Sequence, residues 1–474
     1  MKITAPTMDG PPKTSRRSGS GSPRYIFGVL FVIYLLNYMD RFLFTGAANT
    51  IGVELHLSLS QIGYIASAFL IVYTVSTIPL GLLADRTSRK KVIALSVGIW
   101  SVATALTAIT TNFLTLFLSR MILGIGEGGY FPAGTALLSD CFNRERRARV
   151  LSLWNIAQYI GILGGYVIGG MVAGLAFGSW RYAFLITAIP GLITAFVVWR
   201  IREPQRNQAD LELEQTSGMV TMPVISNMEE QETTVEVKKA SLWQQWFQLL
   251  RVKSLVVLML MQVFSFFVLG VCSNYLPIYL HQSDTFDFSA GTAGLYSGAI
   301  LVVAGLIGTV AGGYFSDLLG RWYGGARILI CGISFTLCAP AIALTLLSHN
   351  IVSFSIFLFL TIVLISMYSG PHGAATQEVV PLWLRASAYA LLLMVAHLCG
   401  DAFSPALVGI LATQFDPTHG QHFQMNMAGH DLAMALLVTC TPALLLAGLI
   451  GIFGARWLQN DIAVTVQLER ERQA

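Results

Sequence analysis

The sequence predicts an all-α membrane protein of twelve transmembrane helices in two pseudo-symmetric six-helix bundles, and three observations carry that prediction. Only 11% of the 474 residues are charged and 54% are hydrophobic, against roughly 25% charged in soluble domains. Apolar runs of about 20 residues, long enough to cross a ~30 Å hydrocarbon core as helix, recur along almost the whole length. Lys and Arg are confined to alternate loops, the pattern of a chain threaded through a bilayer.

In chain order the runs fall at 24–46, 61–84, 91–112, 114–140, 150–175, 182–201, 254–280, 291–318, 327–348, 352–378, 386–413 and 431–457. The first follows Arg16, Arg17 and Arg24; the loop after the second carries Arg86, Arg89, Lys90 and Lys91; the loop after the fourth carries Arg144, Arg146, Arg147 and Arg149. The intervening loops hold no Lys or Arg except Arg181. Short Lys/Arg-rich loops stay in the cytoplasm, so both termini and the long central loop are expected there. Residues 1–23, with Pro, Ser, Gly and scattered basic groups, read as a disordered cytoplasmic tail. The N-terminal bundle spans 24–201. A cytoplasmic linker covers 202–253, beginning with Glu203, Asp210, Glu212 and Glu214 among polar residues. Its end, 241–251, is rich in Trp, Phe and Leu and reads either as a short interfacial helix or as an early start of span 7. The C-terminal bundle spans 254–458, and 459–474 is a second cytoplasmic tail.

Several function classes drop out. The net charge of +4 reflects topology, so no nucleic-acid partner is expected. The six cysteines, Cys141, Cys272, Cys331, Cys338, Cys399 and Cys440, lie in or beside apolar runs without a Cys-x-x-Cys pair or a His at zinc spacing. They read as small buried apolar residues, and neither a metal nor a cofactor is expected. The Gly-rich stretch of span 5 (Gly161, Gly164, Gly165, Gly169, Gly170) follows no strand and precedes no Gly-Lys-Ser/Thr, which excludes a nucleotide loop and leaves close helix packing. No nucleophile with a nearby base lies at membrane depth, which argues against an enzyme. No apolar signal core precedes a cleavage site, so span 1 itself directs insertion. The lack of an Asn-x-Ser/Thr sequon points to a bacterial inner membrane, and a monomer is expected.

The two halves repeat. Gly81-Leu82-Leu83-Ala84-Asp85-Arg86-Thr87-Ser88-Arg89 stands between spans 2 and 3, and Gly313-Tyr314-Phe315-Ser316-Asp317-Leu318-Leu319-Gly320-Arg321 between spans 8 and 9, with Gly, Asp and Arg at identical offsets. Matched six-span halves joined by a polar linker are the layout of transporters that rock one bundle against the other around a central site. The repeated Gly-x-x-x-Asp-x-x-x-Arg loop resembles the signature of the major facilitator superfamily. Within it, Leu36 to Arg41, Gly124 to Gly128, Arg202-Glu203-Pro204 and His397 to Pro405 resemble the spinster family. That resemblance implies proton-coupled movement of an amphipathic anionic lipid, such as a lysophospholipid or a sphingosine phosphate-like molecule. Asn37 to Arg41, Gly126-Glu127, Phe131-Pro132-Ala133 and Arg144-Glu145-Arg146 are also similar to the anion:cation symporter family, which implies proton symport of a small organic anion such as a sugar acid. A passive facilitator or lipid scramblase on the same fold is a further alternative, distinguished by flux that ignores the proton gradient.

Ionised groups at membrane depth are costly and mark function by default. Asp40 and Arg41 lie ~24 Å into span 1 and point about 100° apart, so that one can face a cavity while the other pairs with an adjacent helix. Arg120 precedes Glu127 by two helical turns, which places both on one face of span 4 about 10 Å apart, expected to look into the cavity. Asp40, Glu127 and Asp401 are the candidate proton carriers; Asp401 is equally open to a packing hydrogen bond with His397 one turn earlier. Arg41 and Arg120 are the candidate anion sites, with Tyr38, His372 and His397 as polar neighbours and Phe264, Phe267 and Tyr275 as the wall for an acyl tail. A carboxylate that loses a neighbouring guanidinium to an anionic substrate should take up a proton, which couples the two occupancies. The structural alternative is a permanent ion pair joining spans 1 and 4. Gly81, Asp85, Arg89, Gly313, Asp317 and Arg321 read as a cytoplasmic gate whose ties exist in one of two conformations.

Overall fold

The computed structural model describes residues 21–206, 208–210, 242–416 and 427–473. The N-terminal half comprises α1 (Pro23–Glu54), α2 (Leu59–Arg86), α3 (Arg89–Thr107), α4 (Phe113–Gly128), α5 (Tyr130–Cys141), α6 (Arg144–Ala173) and α7 (Trp180–Arg200). A short α8 (Leu242–Leu249) precedes α9 (Lys253–His281), α10 (Ala290–Gly320), α11 (Ala326–Leu346), α12 (Ile351–Ser366), α13 (Ser369–Glu378), α14 (Arg385–Ala396), α15 (Ser404–Phe415), α16 (Gly429–Gly454) and α17 (Leu458–Gln473). No strand occurs among the described residues. Eleven stretches are long and apolar enough to cross a membrane. The fourth span, absent from those eleven, is α4 and α5 together, each too short alone.

Spans 4 and 10 break at corresponding places for the same reason. A proline ring cannot donate a backbone hydrogen bond and excludes the carbonyl four residues earlier from the helical ladder. Pro132 therefore frees Gly128, where α4 ends, and Pro371 frees Met367, where α12 gives way to α13.

The helix pairing repeats as the sequence does. In the first half α1 packs on α6, α2 on α4 and α3 on α7; in the second, α9 packs on the α14–α15 span, α10 on α12 and α13, and α11 on α16. The halves meet through α2 against α15 and α6 against α10, two contacts that are themselves related by the repeat. The span 5 glycines act as expected: Gly161, Gly165 and Gly169 set α6 directly on the backbone of α1 at Leu35, Met39 and Leu43.

Arg181 is the lone basic residue on the face opposite the Lys/Arg-rich loops, and it is paired with Glu54, whose other oxygen accepts from Trp180 Nε1 at 2.7 Å. That pair fastens the end of α1 to the start of α7. α1 itself runs on to Glu54, past the predicted end at 46, because Ala47, Ala48, Ile51 and Gly52 stay buried against neighbouring helices.

Two connecting segments are helical and docked. The stretch 241–251 yields a separate helix, α8, seated on α14 through a hydrogen bond from Ser387 to Gln245 at 2.7 Å. Residues 459–473, read from sequence as a cytoplasmic tail, form α17 packed beneath the C-terminal half. Asp461 accepts from the Ser254 amide at 2.7 Å, Thr465 donates to the Val379 carbonyl at 3.0 Å, and Glu469 accepts from the Leu382 amide at 3.0 Å. Spaced by four residues, these side chains lie along one side of α17 and satisfy backbone groups that helix ends leave unpaired. The start of the linker docks likewise: Glu203 accepts from the Arg89 amide at 2.7 Å, and Asp210 pairs with Arg147 at 2.7 Å. The disordered-tail reading of 1–23 falls mostly on residues outside those described, as does linker segment 211–241.

Candidate functional site

A chamber of about 510 Å³ lies between the halves, within the range of small-molecule sites. α1 lines it with Tyr34, Tyr38, Arg41, Phe42 and Thr45; α2 with Phe69, Leu70 and Tyr73; α4 with Arg120 and Leu123; and α6 with Asn155, Gln158 and Tyr159. The second half contributes Phe266, Leu269, Gly270, Ser273 and Asn274 from α9, and Leu393, His397 and Asp401 from span 11.

Adjacent residues of α1 part company here. Arg41 faces the chamber, its guanidinium 4.2 Å from the Tyr73 ring centroid, 5.1 Å from Tyr38 and 5.6 Å from Phe69. Its Nε donates to Glu127 Oε2 at 2.5 Å. Asp40 points the other way, 1% exposed, where Thr104 of α3 donates to its Oδ2 at 3.2 Å. This is the division that a ~100° step between neighbours imposes.

Glu127 lies behind Arg41 rather than on the chamber wall, contrary to the expectation that the shared face of Arg120 and Glu127 looks into the cavity. The carboxylate is 1% exposed and its Oε1 has no hydrogen-bond partner. Arg120 does reach the wall. Its guanidinium is held between Phe44, 4.5 Å away, and Phe184, 4.9 Å away, and its Nε and Nη2 are buried without hydrogen-bond partners. Asp40 is a Coulombic neighbour of both Arg120 and Glu127. The four charges cancel in sum but not in placement, for both guanidiniums touch the chamber and both carboxylates stand behind them. The wall in this half thus presents positive charge backed by buried negative countercharge, a surface suited to an anion.

In the second half His397 Nδ1 lies 3.0 Å from Asp401 Oδ2, the one-turn pairing weighed from sequence, and both residues remain on the chamber wall. The His397 ring also meets Tyr73 of the other half, centroids 6.0 Å apart.

Four expected substrate contacts are elsewhere. His372 is buried between α13 and α9 with Nε2 3.2 Å from the Leu258 carbonyl, where it ties two helices together. Phe264 and Phe267 pack into the bundle, and Tyr275 is fully buried in the seal described below. The chamber-facing row of α9 is Phe266, Leu269, Gly270, Ser273 and Asn274, the i, i+3, i+4, i+7, i+8 stripe of a single helix face. Ser273 and Asn274 are the polar members of that row, a signal of its face that the sequence reading did not weigh. Sequence reasoning also passed over Asn155, Gln158 and Tyr159, although neighbouring polar groups inside an apolar span are a usable signal.

The hydrogen bonds joining the halves gather at the end of the molecule opposite the basic loops. Tyr275, which also donates to Pro405 of its own half at 2.8 Å, reaches the Leu59 carbonyl at 3.3 Å, Ser60 meets Thr413 at 2.9 Å, Gln282 donates to Asn49 at 3.0 Å, and Tyr166 donates to the Ser273 carbonyl at 2.5 Å. Backbones touch there: a Cβ on Gly409 would lie 2.5 Å from the Leu59 carbonyl oxygen. At the basic face the expected gate is untied. Asp85, Asp317 and Arg321 are exposed, and no ion pair holds either aspartate among the described residues. Arg89 instead pairs with Asp140 of its own half, and the corresponding pair in the second half is Arg327 with Glu378, not Arg321. The loop after span 8 is longer, so the arginine that begins the next helix lies beyond the matched spacing. Gly313 has open space around it, and the close helix contact falls on Gly312, against Met367.

A family model described as Major Facilitator Superfamily matches residues 30–405. Protein spinster homolog 1 of Xenopus tropicalis is 25% identical over 466 residues, covering 94% of this chain and 81% of the relative. Protein spinster homolog 1 of Homo sapiens is 28% identical over 407 residues, 83% of this chain and 73% of the relative. Among solved structures, a bacterial homolog of the human lysosomal transporter Spinster, inward-facing and unoccupied, superposes with a TM-score of 0.79 at 21% identity, covering 93% of this chain and 98% of that one. A D-xylose-proton symporter gives 0.63 at 18% identity over 91% and 96% of the two chains.

Proposed function

Because the chain belongs to the Major Facilitator Superfamily as a spinster-like transporter, we propose that it is a proton-coupled secondary transporter working by alternating access on an amphipathic anionic lipid, such as a lysophospholipid or a sphingosine phosphate-like molecule. On this reading the basic loops and both termini face the cytoplasm of a bacterial inner membrane, as the Lys/Arg pattern supports, and the conformation described is open inward and sealed outward. The protein works as a monomer, driven by the proton gradient.

One observation carries the reading: Arg41 is at once a cation of the chamber wall and the partner of Glu127. An anion that draws the guanidinium to itself leaves Glu127 buried without its counter-ion, and a charge isolated at that depth costs several kcal/mol. The carboxylate then binds a proton. Asp40, behind Arg120, responds in the same way, and His397 with Asp401 offers a third titratable contact across the chamber. The aromatic and aliphatic wall takes the apolar part of the substrate.

In liposomes, a labelled lysophospholipid should move faster under a pH gradient. Asp40→Asn and Glu127→Gln should remove that acceleration while binding persists, whereas Arg41→Ala should weaken binding itself. Full acceleration in both carboxylate variants would contradict the coupling. A second reading, symport of a compact organic anion, is favoured by the uncharged hydrogen-bonding groups of Asn155, Gln158 and Asn274. Competition between a sugar acid and the lysophospholipid separates the two.

A further inference from the structure

Span 11 changes its hydrogen-bond register inside the chamber wall. Between α14 and α15 the Ala402 amide donates to the His397 carbonyl at 2.9 Å, an i to i+5 bond. Such a π-turn accommodates one residue more than an α-turn. Pro405 explains its position, since its ring removes the carbonyl of Asp401 from the α ladder, and Ser404 Oγ lies 3.5 Å from that carbonyl. Two glycines hold the turn against α9: a Cβ on Gly270 would lie 2.7 Å from Asp401 Cβ, and one on Gly400 would lie 2.7 Å from the Val263 carbonyl oxygen.

The turn sets the phase between two roles on one helix. Leu393, His397 and Asp401 line the chamber. Pro405, Gly409 and Thr413 continue the same four-residue spacing and seat α15 on α2 at Gly63, Leu59 and Ser60. In an unbroken α-helix, at ~100° per residue, such a row drifts by about 40° at each step and ends about 200° from where it began. The residue absorbed by the π-turn removes about 100° of that drift and keeps chamber row and seal row on the same side.

We propose that this π-turn is the hinge through which contact at His397 and Asp401 releases the outer seal. These two residues are its first and last, and their 3.0 Å bond spans it. Relaxation to an α-turn would rotate α15 by about 100° and lift Pro405, Gly409 and Thr413 off α2. The ligand contact rests on reading the chamber as the transport site; the hinge itself is tested without substrate.

Deleting Cys399, an exposed position off the chamber wall, removes the additional residue. In reconstituted full-length protein, a Thr413→Cys reporter should then react with a membrane-impermeant maleimide from the outer side about tenfold faster than in a Cys399→Ser background that keeps the turn. Gly270→Ala, which presses on Asp401 without changing register, should shift labelling in the same direction and decides the matter if the deletion protein does not fold. An unchanged or slower rate in the deletion protein, or in Gly270→Ala where the deletion does not fold, would overturn the hinge. Faster labelling together with flux that ignores the pH gradient would keep the hinge and remove the coupled-transport reading.

Discussion

Arg120 is a guanidinium buried between two phenyl rings with two nitrogens unbonded, and it touches the chamber. Cation–π contact returns about 2 kcal/mol when desolvated, less than the penalty for burying the charge. Asp40 and Glu127, its Coulombic partners, supply the rest of the compensation. Arg120→Met should lower the melting temperature of the purified protein, because it leaves Asp40 short of countercharge, and should also reduce affinity for an anionic substrate, a pairing that thermal shift and a binding assay can read. Arg41→Lys should not rescue Arg41→Ala, because an ammonium cannot stack flat among Tyr38, Phe69 and Tyr73 while also reaching Glu127, and binding should stay about tenfold weaker than wild type. These charges were legible in the sequence because hydrocarbon makes them expensive. Which of them face the void was half legible: the angular step separates Asp40 from Arg41, whereas seating Glu127 behind Arg41 depends on how α4 turns toward α1, which no spacing within either span records.

At the scale of elements, helix ends and breaks follow from local chemistry. Prolines four residues past Gly128 and Met367 divide spans 4 and 10, and carboxylates from segments after each half, Glu203 and Asp461, engage the first turns of α3 and α9. Truncation after Leu458 should therefore lower the stability of the C-terminal half, seen as faster hydrogen exchange at Ser254 and Leu382, because three backbone partners vanish together. At the outer seal, Tyr275→Phe deletes one buried hydrogen bond of about 1 kcal/mol and should increase the outward-open population about fivefold, measurable as spin-label distances between Ser60 and Thr413. The spans themselves were legible from hydropathy. The face of α9 was marked only by the polar pair Ser273 and Asn274, which was not weighed, and Phe264, Phe267 and Tyr275 were accordingly assigned to the wrong side of it.

For the whole molecule, the repeat sets architecture and motion together. The pairing of α2 with α15 and of α6 with α10 follows from one operation applied twice, which lets a seal form at either end by rocking the same two bodies. The repeated loop was visible in sequence; its second arginine, Arg321, is exposed in this conformation, while Arg327, at the start of the next helix, meets Glu378. Asp85→Asn with Asp317→Asn should leave the inward-open state as stable as before and slow its closure, since both carboxylates are free in that state. The central claim is that Arg41 exchanges Glu127 for substrate and that the abandoned carboxylate takes a proton. Proton uptake on adding lysophospholipid to purified protein in weak buffer, followed with a pH-indicator dye, tests it directly. Wild type should take up protons on binding, and Glu127→Gln about one fewer per bound molecule while still binding, as linkage requires. Binding by wild type without uptake, or equal uptake by the variant, would contradict the account.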